Sequence, residues 1–274
     1  MTLTSDHDVP RRAFVAQIMG LPISLHLRGP GVRTPAVEAA VERAFSALRA
    51  DEAVFSPWQA DSEISRIQRG VLSLADALPR VREVARLCDR ASALTGGAFS
   101  AQLPGPNHQT VFNPTGLVKG WAVQQAFDNL LADPALRDHD ALINAGGDIA
   151  VQCRRTDTPD WTVAIEDPRD RQRPLRTLKL RSGAVATSGT AARGRHIIDP
   201  ATDAPVREEL LSATVIGPEL TWADVYATAA FVRGLGALTW LATLPHHVGL
   251  LVTADGTVLT LSLIHISEPT RRTP

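Results

Sequence analysis

Hydrophobic positions along this chain change their spacing more than once. Near the start, Ile23, Leu25 and Leu27 alternate with Ser24 and His26, the two-residue rhythm of a strand with one buried face. Residues 14 to 27 therefore read as a strand, a turn at Gly20-Leu21-Pro22 and a second strand. Helical spacing follows. Thr34-Pro35 opens a helix carrying Val37, Ala40, Val41, Ala44, Phe45 and Leu48 on one side, and proline is preorganised for a first helical turn. Pro79 opens another, with Val81, Val84, Ala85 and Cys88 inward. Thr95-Gly96-Gly97 ends it, because glycine readily takes the left-handed stop. A third begins near Gly116 and runs through Val123, Ala126, Phe127 and Leu130.

After residue 140 the texture becomes short β-like pieces, at 141–144, 149–152, 161–165, 177–180, 196–198 and 213–216. One strongly apolar helix interrupts them, from about Thr221 to Arg233, and a shorter one reaches Leu244. His247 to Val252 and Thr257 to Thr260 form a hairpin pattern around Asp255-Gly256. There is no internal repeat and no low-complexity linker. The expected class is α+β.

Charge narrows the partners. The 28 basic and 29 acidic residues give a net charge of −1, without the cationic excess of a broad nucleic-acid or bilayer surface. Neither nucleic-acid binding nor stable membrane insertion is expected, since no apolar run approaches the roughly 18 residues of a membrane span. Cys88 and Cys153 lack the spacing of a disulfide framework or zinc site. A cytoplasmic protein is the expectation; the alternative is export, because Pro10-Arg11-Arg12 ahead of an apolar stretch is similar to a twin-arginine signal. Lys119 and Lys179 are the only lysines, so each invites a question about chemistry.

Four stretches combine small and polar residues in ways a plain core does not need. Phe112 to Trp121 brings a glycine-containing loop into a helix with Lys119 in its first turn; free N–H groups and an ammonium there suit an anion, although a helix cap with a solvated lysine has the same pattern. Asn144-Ala145-Gly146-Gly147-Asp148 reads as a hairpin turn, or as a place where backbone approaches a flat ring. Thr187-Ser188-Gly189 reads as a hydroxyl-rich turn before His196-Ile197-Ile198-Asp199-Pro200, and His196 is the best general-base candidate among the eight histidines. His246 and His247, beside Pro245 with no supporting acid, read as surface. Asp224 and Thr228 share a helix face, either as an oxygen pair for Mg²⁺ or as a cap and a back-bonded hydroxyl.

In this order these stretches resemble the ApbE family of Mg²⁺-dependent FAD:protein FMN transferases, over roughly residues 14 to 260. Met19-Gly20, Phe55-Ser56, Asp61 to Arg66 with Ser62-Glu63, Gly97-Ala98-Phe99 and Gly116 to Val123 belong to the resemblance with the segments above. It implies a single two-lobed domain with mixed β-sheets, flanking helices and an FAD cleft between the lobes. It implies Mg²⁺ held by Asp224, Thr228 and the carbonyl near Gly116, with Asp224 and His196 as the catalytic pair. His196 would take the proton of an acceptor threonine. Lys119, Asn144, Gly146, Gly147, Asp148, Thr187, Ser188, Met19, Ser62 and Glu63 would line the FAD pockets. The implied reaction transfers FMN from FAD to the threonine of an acceptor protein, often a redox flavoprotein, and releases AMP.

Two other functions share these residues: an FAD pyrophosphatase giving FMN and AMP, and a flavin-binding protein without catalysis. Asn113, Pro114-Thr115, Ser100, Asp203 and Thr190-Ala191-Ala192 depart from the family pattern. Residues 1–13 are expected to be flexible. Residues 261–274, beginning Leu261-Ser262-Leu263-Ile264-His265, resemble a translated sequencing adapter.

Overall fold

The structure, a computed structural model, describes residues 9–105, 109–190, 197–206 and 209–261. Its centre is an eight-stranded sheet in the order β1 (Arg11–Ile18), β2 (Leu21–Arg28), β5 (Asp140–Ala145), β6 (Asp148–Gln152), β9 (Ser182–Gly189), β12 (Leu210–Gly217), β13 (Val248–Thr253) and β14 (Val258–Thr260). Each described pairing is antiparallel; the mixture is of helix with sheet, not of strand directions.

Strand alternation divides the core in two. Ile143, Ala150, Ala184, Ala186, Ala213, Val215 and Leu251 face the helices. Their neighbours Leu142, Val151, Val185, Ile216, Leu250 and Val252 face the other way, as side chains one residue apart must. On that second side, the hairpin of β7 (Trp161–Asp167) and β8 (Asp170–Leu180) contributes Val163, Ile165 and Leu178. The helix side holds α1 (Pro35–Phe55), α3 (Pro79–Leu94), α4 (Thr115–Ala132), α5 (Leu220–Arg233) and α6 (Ala237–Leu241). Short alanines on the inner strands let α4 and α5 pack close. Among the described residues no helix is long and apolar enough to cross a membrane.

The predicted helices start where expected. Thr34 caps α1 by accepting the Val37 N–H, and all six expected apolar positions of α1 are buried. Gly96 and Gly97 stop α3 in left-handed geometry, at φ 55° and 83°. Cys88 is buried, and burial pushes its thiol up to about 12, with Asp89 adding to the shift. Three differences stand out. The first strand opens at Arg11, so residues 11–13 belong to β1 and not to a flexible terminus; Arg12 pairs with Glu38 on α1. The first turn is Met19-Gly20, with both residues at positive φ. Thr187-Ser188-Gly189 is no turn: it ends β9, a central strand paired to β6 and β12. Of the implied tail, 262–274 lie outside the described residues, as do 1–8 of the implied flexible terminus.

At one end of the sheet a buried ion pair locks β2 to β5. Arg28 Nε donates to Asp140 Oδ2 at 2.8 Å, with side chains 3% and 0% exposed. Asp140 also accepts from Thr158 and from the N–H groups of Arg154 and Arg155, while the Arg28 guanidinium lies 4.2 Å over the Trp161 ring. Burial pushes the Asp140 pKa up, but these hydrogen bonds together hold it below the ordinary aspartate value. Its stabilisation is therefore present above the unfolded-state pKa and lost as the pH falls through the folded one. Asp140→Ala leaves a buried guanidinium uncompensated and is expected to lower unfolding free energy by about 3 to 5 kcal/mol. Urea denaturation at neutral pH checks this, and a loss below about 1 kcal/mol would contradict it.

Candidate active site

At the opposite end, α4, α5, β6 and β9 bring a charged cluster together. The turn Gly146-Gly147, at φ 64° and 104°, delivers Asp148 as the first residue of β6. Asn144 Oδ1 closes that turn by accepting the Gly147 N–H at 2.8 Å. Asp148 Oδ1 accepts the Thr187 N–H at 3.0 Å, and Oδ2 is in direct contact with Lys119 Nζ. Lys119 Nζ is also 3.5 Å from Asp224 Oδ1 on α5. The Lys119 side chain is 26% exposed, against 4% and 5% for Asp148 and Asp224, so the lysine forms the opening of the cluster. Beside it, Ser188 Oγ and Thr228 Oγ1 share a hydrogen bond of 3.0 Å between β9 and α5.

Asp224 is the unbalanced member. Its Oδ2 is buried without a hydrogen-bond partner. Burial pushes its pKa up to about 7; Lys119 opposes the shift and the nearby Asp148 charge adds to it. It does not cap α5, whose N-cap residue is Glu219. The orphan oxygen of Asp224, with the Thr228 hydroxyl on the same helix face, offers hard donors suited to a divalent cation. Among the described residues no group of three His, Cys, Asp or Glu side chains does so alone.

Two further residues set this geometry: Gly120, which belongs to the Gly116 to Val123 segment of the resemblance, and Gln124, which lies outside it. Gly120 lies against Asp224: a β-carbon there would sit 2.9 Å from Asp224 Cβ and 3.0 Å from Oδ2. Glu219 makes no side-chain cap, and Gln124 of α4 supplies the missing acceptor, taking the Leu220 N–H at 2.6 Å. A glycine and a glutamine inside a helical pattern carry no local signal for either role.

The remaining candidates are placed as follows. Gly116 lies in the first turn of α4, and a β-carbon there would be 3.1 Å from the Phe99 ring. Asn113 Oδ1 accepts from the N–H and hydroxyl of Thr115, forming the entry to α4. Thr187 and Ser188 separate, because adjacent strand residues face opposite sides: Ser188 reaches α5, whereas the Thr187 hydroxyl bonds Thr214 at 2.9 Å on the far side. Met19 holds the β1–β2 turn at φ 57°, at the sheet end that also carries Gly146, whose N–H donates to Pro22 O. Ser62 caps α2 (Glu63–Gln68) and donates to Ser56 O, and Glu63 accepts the Leu78 N–H at 2.7 Å. Neither is part of the Lys119 cluster. His196 lies outside the described residues. Asp203 keeps its turn at φ 53° without glycine. His247 is not a plain surface residue: its ring is half-buried against Tyr226, centroids 5.0 Å apart, and Nδ1 donates to Pro245 O.

A sequence model of the ApbE family matches residues 102–252, more than half of the chain and the segment that holds this cluster. The chain belongs to the ApbE family. A relative from Vibrio cholerae named FAD:protein FMN transferase is 31% identical over 151 residues, covering 52% of this chain and 43% of the relative. One of the same name from Treponema pallidum is 33% identical but is covered over only 31% of its length. The chain thus aligns with less than half of each of these two. A Klebsiella pneumoniae relative of that name is 25% identical, with 74% of each chain covered. The ApbE fold is shared with the Thermotoga maritima ApbE protein, at TM-score 0.78 and 19% identity, covering 91% of this chain and 96% of the other. The apo flavinyl transferase ApbE of Pseudomonas stutzeri gives TM-score 0.76 at 22% identity, covering 92% and 94%.

The raised Asp224 pKa in this ApbE chain has a sign opposite to that of Asp140. An unfolded aspartate ionises near pH 4, so between about pH 4 and 7 the native state holds more protons and stability falls as pH rises. In chelator, unfolding free energy of the native chain is expected to decline relative to Asp224→Asn between about pH 5 and 7.5; a constant difference would show an ordinary carboxylate. Gly120→Ala is expected to cost about 1 to 3 kcal/mol by overpacking α4 against α5, read from the urea midpoint, and no loss would contradict the close approach.

Proposed function

We propose that this protein is an FAD:protein FMN transferase, which moves the FMN half of FAD onto a threonine hydroxyl of an acceptor protein and releases AMP. The reading is carried by one observation: the orphan Asp224 Oδ2 beside Lys119 and Asp148, within the segment that matches the family. Relatives that bear this name support the substrates.

Asp224 and Thr228, with a main-chain oxygen near Gly116, would hold Mg²⁺. Their hard oxygens fit that ion, and Asp224 has the unused one. When bound, Mg²⁺ supplies positive charge against the pyrophosphate and its leaving oxygen. Lys119 and the N-terminal turn of α4 favour the same anion. The Gly146-Gly147 turn leaves backbone accessible to a flat ring, and Ser188 and Thr228 offer hydroxyls beside the carboxylates.

The threonine oxygen attacks the phosphorus of the FMN half, the bond from that phosphorus to the bridging oxygen breaks, and AMP leaves with that oxygen. His196 is assigned the hydroxyl proton on the strength of the family resemblance; a positioned base of this kind is worth about 10² to 10⁴ in rate. The acceptor is a protein with an accessible threonine, of the redox flavoprotein class.

The test incubates the protein with FAD, Mg²⁺ and a threonine-bearing acceptor, following AMP and acceptor-bound flavin fluorescence. Equal amounts of both are expected, and Asp224→Ala should lower the rate by at least about a hundredfold. AMP formed equally fast without acceptor would mark a pyrophosphatase. Tight FAD binding with no AMP in any divalent metal would remove the catalytic reading.

A further inference from the structure

The sharing of one ammonium between two buried carboxylates is uneven, and the unevenness has a direction. Asp148 has both oxygens engaged, one by Lys119 and the other by the Thr187 N–H of the central sheet. Asp224 receives the same ammonium only at 3.5 Å and leaves Oδ2 unpartnered. Two aspartates withdrawn from water need a cation, and here Lys119 bridges both while resting on the more fully bonded one.

We propose that Lys119 is the standing counter-cation of this cluster, and that a divalent ion takes Asp224 from it while Asp148 retains the ammonium. The inference rests on the reading that Asp224 binds such an ion. Lys119 is then a competitor of the metal in the resting site, beyond any contact with phosphate. Asp148 is a positioning residue: it touches neither ion nor substrate in this scheme, but holds Lys119 back. The metal's affinity is thereby moderated, because the cluster presents one net negative charge instead of two. Removing the lysine exposes both carboxylates to the ion, whereas neutralising Asp148 leaves Asp224 as the only charged partner of Lys119.

The test is Mn²⁺ binding followed by the electron paramagnetic resonance of the free ion, with Mg²⁺ competition, in the full chain without flavin at about pH 8.5. Lys119→Met is expected to tighten binding by at least about tenfold, and Asp148→Asn to weaken it by about the same factor. The opposed directions guard against a mere structural effect, because a damaged fold weakens both; circular dichroism checks the fold of each variant. If Lys119 acts only on phosphate, Lys119→Met leaves flavin-free Mn²⁺ affinity unchanged, and that result overturns the inference. Shifts in the same direction overturn it too. If the native chain binds no Mn²⁺ with or without FAD, the metal reading of Asp224 falls, and this inference with it.

Discussion

A carboxylate withdrawn from water has to be answered by donors or by a cation, and this fold meets that demand differently at its two ends. Asp140 is answered completely, by a guanidinium, a hydroxyl and two backbone N–H groups. Asp224 is answered in part. A satisfied buried network makes a rigid corner, whereas a partly satisfied one is held in place only by its surroundings. Strand pairing across the central sheet supplies those surroundings: β6, which begins at Asp148, is paired to both β5 and β9.

What keeps Asp224 in so poor an environment is the approach of two helices. Gly120 removes the side chain that would hold α4 and α5 apart, and Gln124 fixes how far α5 slides along α4 by taking its first N–H. Alanines beneath, at Ala150, Ala184, Ala186 and Ala213, keep both helices low on the sheet. The desolvation that raises the Asp224 pKa is thus a packing property spread over many small residues. A buried carboxylate answered only in part is costly, and the stability of the surrounding packing sustains it.

Much of this was legible from spacing alone. The stripes of α1 and α3, the glycine stop after α3 and the alternation of β2 are local patterns, and local patterns are what a sequence displays. β9 was not legible: Ser182 to Gly189 has small and hydroxyl side chains throughout, apart from Val185, and is a strand because β6 and β12 flank it. Asp148 and Asp224 each drew notice, but their meeting at Lys119 is a tertiary fact. Resemblance to the family, more than chemistry, pointed to Asp224 with Thr228, since a helix face bearing an acid and a hydroxyl is common. Opposite orientation of Thr187 and Ser188 follows from strand geometry and becomes readable once β9 is recognised.

The pairing of β2 with β5 bears on how the chain is made. Arg28 and its partner Asp140 are 112 residues apart. During vectorial synthesis the β1–β2 hairpin emerges long before the strand that completes it, with one edge open and an arginine destined for the interior still in water. Closing so large a loop is entropically slow. The ion pair that buries Arg28 can therefore form only after the chain through β5 has been made, so this corner of the sheet is a late, long-range contact.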